Sequence, residues 1–226
     1  MNYEEHFDRS VALRNEFWAR IGKVHEDVVA HFINPAFMGG PAWPSIRQAF
    51  IKIDTPQGTI VASDGLSDPY SDFDANPNNQ AYNGIGCEFY LECDEVIEDF
   101  QAFQSSWQFQ VLYQMAQQAA SNPNIGGIIE EYTYISTELY DCNGVPEGLV
   151  NEEGRIGVLI GLPSATVPSR VQLSIENTRM VNVKLLTLSE LSYIVQNGPE
   201  GRIKLGELLL QQEKSSKSFL ERQSVI

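Results

Sequence analysis

One stretch, residues 84–93 (GIGCEFYLEC), limits what this chain can fold into more than any other, because its side chains alternate between two sets. Ile85, Cys87, Phe89, Leu91 and Cys93 fall on one face of an extended backbone, and Gly86, Glu88, Tyr90, Glu92 and Asp94 on the other. That pattern predicts a half-buried β-strand with its carboxylates turned to solvent. A slip of one residue in its pairing would carry two glutamates into the core and Phe89 and Leu91 into water, so the register is strongly specified. Burying those two side chains is worth about 1.5–3 kcal/mol each, enough to anchor a sheet.

The rest of the chain mixes helical and extended segments. Phe7, Val11, Trp18 and Ile21, with Leu13 and Phe17 filling the stripe, predict an amphipathic helix ending near Gly22. Val24, Val28, Val29 and Phe32 continue a helical pattern toward Pro35. Residues 34–44 are rich in Gly and Pro and read as a loop plugged by Trp43. Runs at 49–54 and 59–62 flank Thr55-Pro56-Gln57-Gly58, whose Pro and Gly are turn residues, and so predict a hairpin. The polar stretch 63–83 has no hydrophobic period, and long loops of this kind inside a domain are usually functional or disordered. Beyond it, Phe100, Phe103, Trp107, Val111 and Met115 predict one helix that stops at Asn122-Pro123, with glutamines on its outer surface. Strands are expected at 133–139, 156–162 and 181–186, with 171–175 a weaker candidate. Two helices, 188–196 and 199–212, meet at Asn197-Gly198-Pro199. No linker divides the 226 residues, which read as one domain with 213–226 as a C-terminal tail.

Charge excludes some functions. A formal charge of −15 and a pI near 4.5 argue against nucleic acid, whose phosphates call for a basic patch, and against an anionic membrane surface. The N-terminus lacks the apolar run of a signal peptide, and no window approaches a membrane helix, so a cytoplasmic location is expected. Three cysteines without a CxxC spacing suit a reducing compartment; Cys87 and Cys93 read as core thiols, and Cys142, in a loop, has no cationic sequence neighbour to activate it.

No catalytic, metal or cofactor pattern stands out. His25 and His31 are six residues apart and would lie on different faces of a helix. Asp72, Asp74 and Asn76 open like a calcium loop, but Pro77 stands where its Gly belongs and Asn83 where its bidentate Glu belongs. Gly84-Ile85-Gly86 lacks the third Gly of a dinucleotide loop, and GxSxG, HExxH and the P-loop pattern are all missing. Glu88 and Glu92 share a strand face, as glycosidase carboxylates can, but so do alternate residues of any strand. The expectation is no catalytic residue, no metal and no cofactor.

Two segments in order, Gly65-Leu66-Ser67-Asp68-Pro69-Tyr70-Ser71-Asp72 and, after a polar loop, Gly84-Ile85-Gly86-Cys87-Glu88-Phe89, resemble the signature region of the suppressor-of-fused domain family. There a GLSDLYGD-like segment leads into a GFGFEL-like strand. The helix 100–119, the strand 154–162 and Leu185-Leu186-Thr187-Leu188-Ser189-Glu190-Leu191 are similar to bacterial members, so the likeness covers most of the chain. The resemblance implies an α+β fold, with a mixed, largely antiparallel central sheet packed by helices, and a role in binding proteins. In animal members the domain helps sequester Gli-type transcription factors, and a cleft between two domains takes up an extended peptide as an added strand. Tyr70 matches a tyrosine implicated in that binding, whereas an implicated aspartate falls at Gln80 on an ungapped count back from Gly84. Bacterial members are associated with polymorphic toxin systems, as immunity proteins.

The expected function is therefore a non-catalytic protein-binding module, immunity or regulatory, that sequesters a partner such as a basic toxin domain or an extended peptide. Asp68, Tyr70, Asp72, Asp74, Tyr82, Glu88 and Glu92 would form its partner-binding surface, with the tyrosines as aromatic anchors. For Asp68 and Tyr70 the alternative is a structural role within the loop. The rival function is an enzyme or small-molecule binder using 63–83 as a lid, which a deep pocket lined by convergent Asp68, Tyr70 and Glu88 would favour and a shallow or flat acidic face would not.

Overall fold

The alternating stretch forms strand β5 (Cys87–Cys93), and both of its faces are buried. The computed structural model describes residues 1–30, 34–122, 124–140 and 142–226. Helix α1 (Tyr3–Ala19) opens the chain with a capping box, in which Asn2 accepts from the Glu5 amide and Glu5 reaches back to the Asn2 amide. Two short strands follow, β1 (Lys23–Val24) and β2 (Val29–Ala30), and then the hairpin of β3 (Ala49–Thr55) and β4 (Gly58–Asp64), closed at Thr55↔Gly58 as the turn residues predict.

After β5 come α2 (Phe100–Ser105), α3 (Trp107–Ala120), α4 (Ile125–Glu131), β6 (Ile135–Leu139), β7 (Ile156–Ile160), β8 (Arg170–Gln172), β9 (Asn177–Leu185) and α5 (Leu188–Leu210). Among the described residues the sheet has nine strands, with the main path β1-β3-β4-β5-β9-β7-β6; β2 joins β3 and β8 joins β9. Every pairing is antiparallel except the central one, β5 with β9. This is the α+β architecture, mixed and largely antiparallel, that the resemblance implies.

Alternation survives across the sheet, but water does not lie on its second face. Phe50, Val61, Phe89 and Leu91 point to one side and join α3 through Val111, Leu112 and Met115. Ile51, Ile53, Ile60, Ala62 and Tyr90 point to the other and meet Phe17 and Trp18 of α1, with the Trp18 and Tyr90 rings edge to face at 6.0 Å. A third cluster packs Leu159 and Leu162 against Ile194, Leu205 and Leu209 of α5. The half-buried strand of the sequence reading is thus corrected to a two-sided one. The solvent face assigned to Glu88 and Glu92 does not exist, because α1 and the C-terminal tail cover it.

Other expectations are also revised. The helical continuation past Gly22 is replaced by β1 and β2, which pair Val24 with Ile53 and Val29 with Phe50 along the free edge of β3. β-branched valines suit that edge, and a Cβ on Gly22 would lie 2.3 Å from the Asp54 carbonyl oxygen, so the close approach depends on glycine. The His25 ring sits 2.5 Å from Asp54, while His31 and Phe32 lie outside the described residues. The helix expected over 100–119 is broken at Ser106, whose extended backbone lets its hydroxyl cap α3 by accepting from the Phe109 amide. α4 has no counterpart in the sequence reading. The two closing helices run together as α5 and are broken by a kink at Gly198 (φ 57°, ψ −139°), ahead of Pro199, as expected. Cys87 and Cys93 are buried thiols; burial raises the pKa of both, that of Cys93 to about 11.

Candidate functional site

The signature loop is braced from below by buried carboxylates. Asp68 accepts from Arg14 Nη2 at 2.5 Å, Ser45 Oγ at 2.9 Å and Arg47 Nε at 3.2 Å. Glu88 accepts at Oε1 from the amides of Gly65 (3.0 Å) and Ser67 (2.9 Å) and from Ser67 Oγ (2.6 Å), and at Oε2 from Ser63 Oγ (2.5 Å). Asp64 takes Arg14 Nε at 2.8 Å and Arg47 Nη1 at 2.7 Å. Arg14, Asp68 and Glu88 are completely excluded from solvent. Burial alone would raise the Asp64 pKa, but the guanidinium groups of Arg14 and Arg47 outweigh it and hold the carboxyl below its ordinary range. The same carboxylates overcome the desolvation of Arg14 and raise its pKa.

The far end of the loop is pinned by Asn83, also fully buried. Its Nδ2 donates to Ser10 Oγ at 2.8 Å, and its Oδ1 accepts from the amides of Ile175 (3.0 Å) and Glu176 (3.1 Å). Gly84 follows with φ +54°, and a Cβ there would lie 2.2 Å from the Leu66 carbonyl oxygen, so the two signature segments touch through a position open only to glycine.

Braced in this way, the loop turns Tyr70 and Tyr82 toward an open cavity of about 580 Å³. Its other walls come from α4 and the β8–β9 hairpin: Glu130, Arg170, Glu176 and Arg179. Arg179 Nη2 pairs with Glu130 Oε1 at 2.6 Å, and Arg170 approaches the same oxygen at 3.7 Å. Burial, reinforced by Asp72, raises the Tyr70 pKa; burial also raises that of Glu176, against the hydrogen bond from the Asn83 amide. Tyr82, 54% exposed, is the more accessible of the two tyrosines.

The seven residues proposed from sequence therefore separate. Tyr70 and Tyr82 share the cavity. Asp72 is exposed beside it, accepting from Asn79 Nδ2 at 2.6 Å. Asp74 is exposed but accepts from the Tyr3 amide at 3.1 Å, tying down the first turn of α1. Asp68 and Glu88 belong to the buried brace, which corrects their assignment to a partner surface. Glu92, four residues and about 13 Å further along β5, is buried beneath the C-terminal tail and joins neither group. The cavity wall does not include Asp68 or Glu88, so the convergence of Asp68, Tyr70 and Glu88 that would favour a small-molecule pocket is not seen there. Among the described residues no group of His, Cys, Asp and Glu is arranged to hold a metal ion. Arg170, Arg179, Glu130 and Glu176 were not anticipated, because they reach the cavity from elements about 40–100 residues further along the chain and carry no local motif.

A mixed sheet covered on both faces by helices, with a charge-braced loop at the rim of an open cleft, defines the chain as an α+β protein of specific type. It has the suppressor-of-fused fold. The crystal structure of the Sufu–Fu complex superposes with a TM-score of 0.60 over 97% of this chain and 92% of that one, at 12% identity. Drosophila Suppressor of Fused superposes with a TM-score of 0.50 over 89% of this chain and 42% of that one, at 11% identity. No family model matches the sequence, and no curated protein matches it.

Proposed function

We propose that this chain is a non-catalytic protein-binding module, an immunity or regulatory protein that sequesters a basic partner such as a cognate toxin domain, and that the cleft beside Tyr70 and Tyr82 is where the partner engages. The observation that carries this reading is the use of the signature carboxylates. Asp68 and Glu88 are consumed in holding the loop, and what the loop presents outward is a pair of tyrosines over a wide polar cleft. Tyrosines at the rim of a cleft are suited to anchoring a macromolecule.

Charge supports a basic partner. Among the described residues five buried acids are nearly balanced by four buried bases, so most of the acidic excess of −15 lies on the surface, where it speeds encounter with a cation-rich protein. The solved neighbour is itself described in a complex, that of Sufu with Fu.

Affinity capture with the products of neighbouring genes should retain a protein, and binding should weaken as salt rises. Tyr82→Ala should lower the affinity about tenfold or more, as for an aromatic anchor, and leave the unfolding midpoint unchanged because the side chain is exposed. Retention of a small metabolite and no protein would sink the proposal in favour of a ligand pocket, for which the cavity volume is large enough.

A further inference from the structure

β5 and β9 run side by side only from Cys87↔Arg179 to Tyr90↔Asn182. Beyond that point they part, and the C-terminal tail enters the split. Ser218 joins the two strands: its amide donates to the Glu92 carbonyl at 2.7 Å, and its hydroxyl accepts from the Leu185 amide at 2.9 Å. Asn182 Nδ2 donates to the Ser216 carbonyl at 3.1 Å, and Lys184 Nζ donates to the Lys217 carbonyl. Farther out the tail is held by Arg222 against Glu190, with Nη1 to Oε1 at 2.6 Å, and by the Val225 amide on the same carboxylate at 3.1 Å.

This seat is imperfectly paired. An open groove of about 350 Å³ runs beside the tail, lined by Gln57, Glu92 and Thr166 and by Lys214, Ser216 and Lys217 of the tail itself. Glu92 is 2% exposed, yet its Oε1 has no hydrogen-bond partner in the protein. An open groove along the seat and an unpaired buried carboxylate oxygen leave the docking of this segment, with three consecutive buried residues at Ser216–Ser218, weaker than a fully paired one.

We propose that residues 213–226 form a releasable strap over the split end of β5 and β9, and that a proton taken up at Lys184 releases it. The inference does not depend on the function proposed above. Lys184 is 2% exposed, donates to the Lys217 backbone carbonyl and lies among charges from three elements: Glu92 of β5, Glu190 of α5 and Arg222 of the tail. Lys214 and Lys184 lie over the same Phe219 ring, at 5.4 and 5.5 Å, while Lys214 is paired with Asp94 at 2.8 Å. Burial and the Arg222 charge oppose the ammonium form more than Glu190 and Glu92 favour it, so the Lys184 pKa falls to about 7. With the strap gone, water reaches Lys184 and its pKa returns toward the ordinary value of about 10.4. A folded-state pKa depressed in this way for a lysine means that docking strengthens as pH rises from about 7 to about 10 and is weakest below 7, where both states carry the proton. Release bares the Glu92 carbonyl and the Leu185 amide on two adjacent strand edges. The Arg222–Glu190 contact does not set this window, because Arg222 holds the Glu190 pKa below its usual range despite burial.

Hydrogen exchange of the full chain, corrected for the intrinsic pH dependence of exchange, tests the strap. Protection of the Ser218 and Val225 amides should fall about a hundredfold between pH 9 and pH 6, the change that two such pKa values imply, while β4 and β5 keep theirs. Lys184→Met should flatten the profile. Glu92→Gln, which removes one of the charges favouring the ammonium, should move the midpoint to lower pH. A wild-type profile flat within about threefold, a Lys184→Met profile as steep as wild type, or an unmoved midpoint in Glu92→Gln would each overturn the proposal.

Discussion

Arg14→Met lowers the free energy of unfolding by about 3–5 kcal/mol in a denaturant titration, the usual cost of removing one partner from a buried ion pair. The side chain is completely buried and joins α1 to three carboxylates more than forty residues away, at 2.8 Å to Asp64, 2.5 Å to Asp68 and 3.9 Å to Glu88. Its loss leaves Asp64 and Asp68 to Arg47, and Glu88 to the hydroxyls and amides of Ser63, Gly65 and Ser67. The pH dependence has a defined sign. A carboxyl held below its ordinary pKa, as Asp64 is, adds stability above the unfolded value of about 3.9 and loses it as the pH falls through the folded value. Without Arg14 that folded value moves up, so the variant unfolds in acid at a higher pH than wild type. Pairing Arg14→Met with Asp68→Leu should cost less than the sum of the single changes, because the second change removes a carboxylate that the first leaves unpaired. Additive costs, or a loss below about 1 kcal/mol for Arg14→Met, would show that the cluster is solvated.

Phe89→Ala and Tyr90→Ala should each cost about 3–5 kcal/mol, as truncations of large buried aromatics do. These neighbours lie on opposite faces of β5, Phe89 in the core under α3 and Tyr90 against α1, and neither is more than 1% exposed. A one-sided strand would lose stability at Phe89 only. A cost below about 1 kcal/mol at Tyr90 would mean that α1 does not cover the second face.

The cleft at the loop and the strap at the tail lie at opposite ends of β5, so binding at one and release at the other can be measured separately. Loss of partner affinity in Tyr82→Ala with strap protection intact would place recognition at the Tyr70–Tyr82 rim.

Much of the local structure was legible in the chain. The period of two over 84–93 identified β5 and which residues share a face, Thr55-Pro56-Gln57-Gly58 identified the hairpin, and Gly198-Pro199 the kink in α5, because each depends on backbone conformations confined to neighbouring residues. Glu88 and Asp68 were legible as members of one signature, but not as its foundation. Alternation tells which side chains lie together, and whether water or a helix lies over them depends on where α1 packs. Arg14 neutralises carboxylates 50 and 54 residues away, and Arg179 enters the cleft from the other side of the sheet centre. Local sequence alone thus determined the extended ribbon and its two faces. Only the tertiary structure decided that its acids are structural, because charges become counterions, and faces become interior, through contacts between segments that no short stretch of sequence contains.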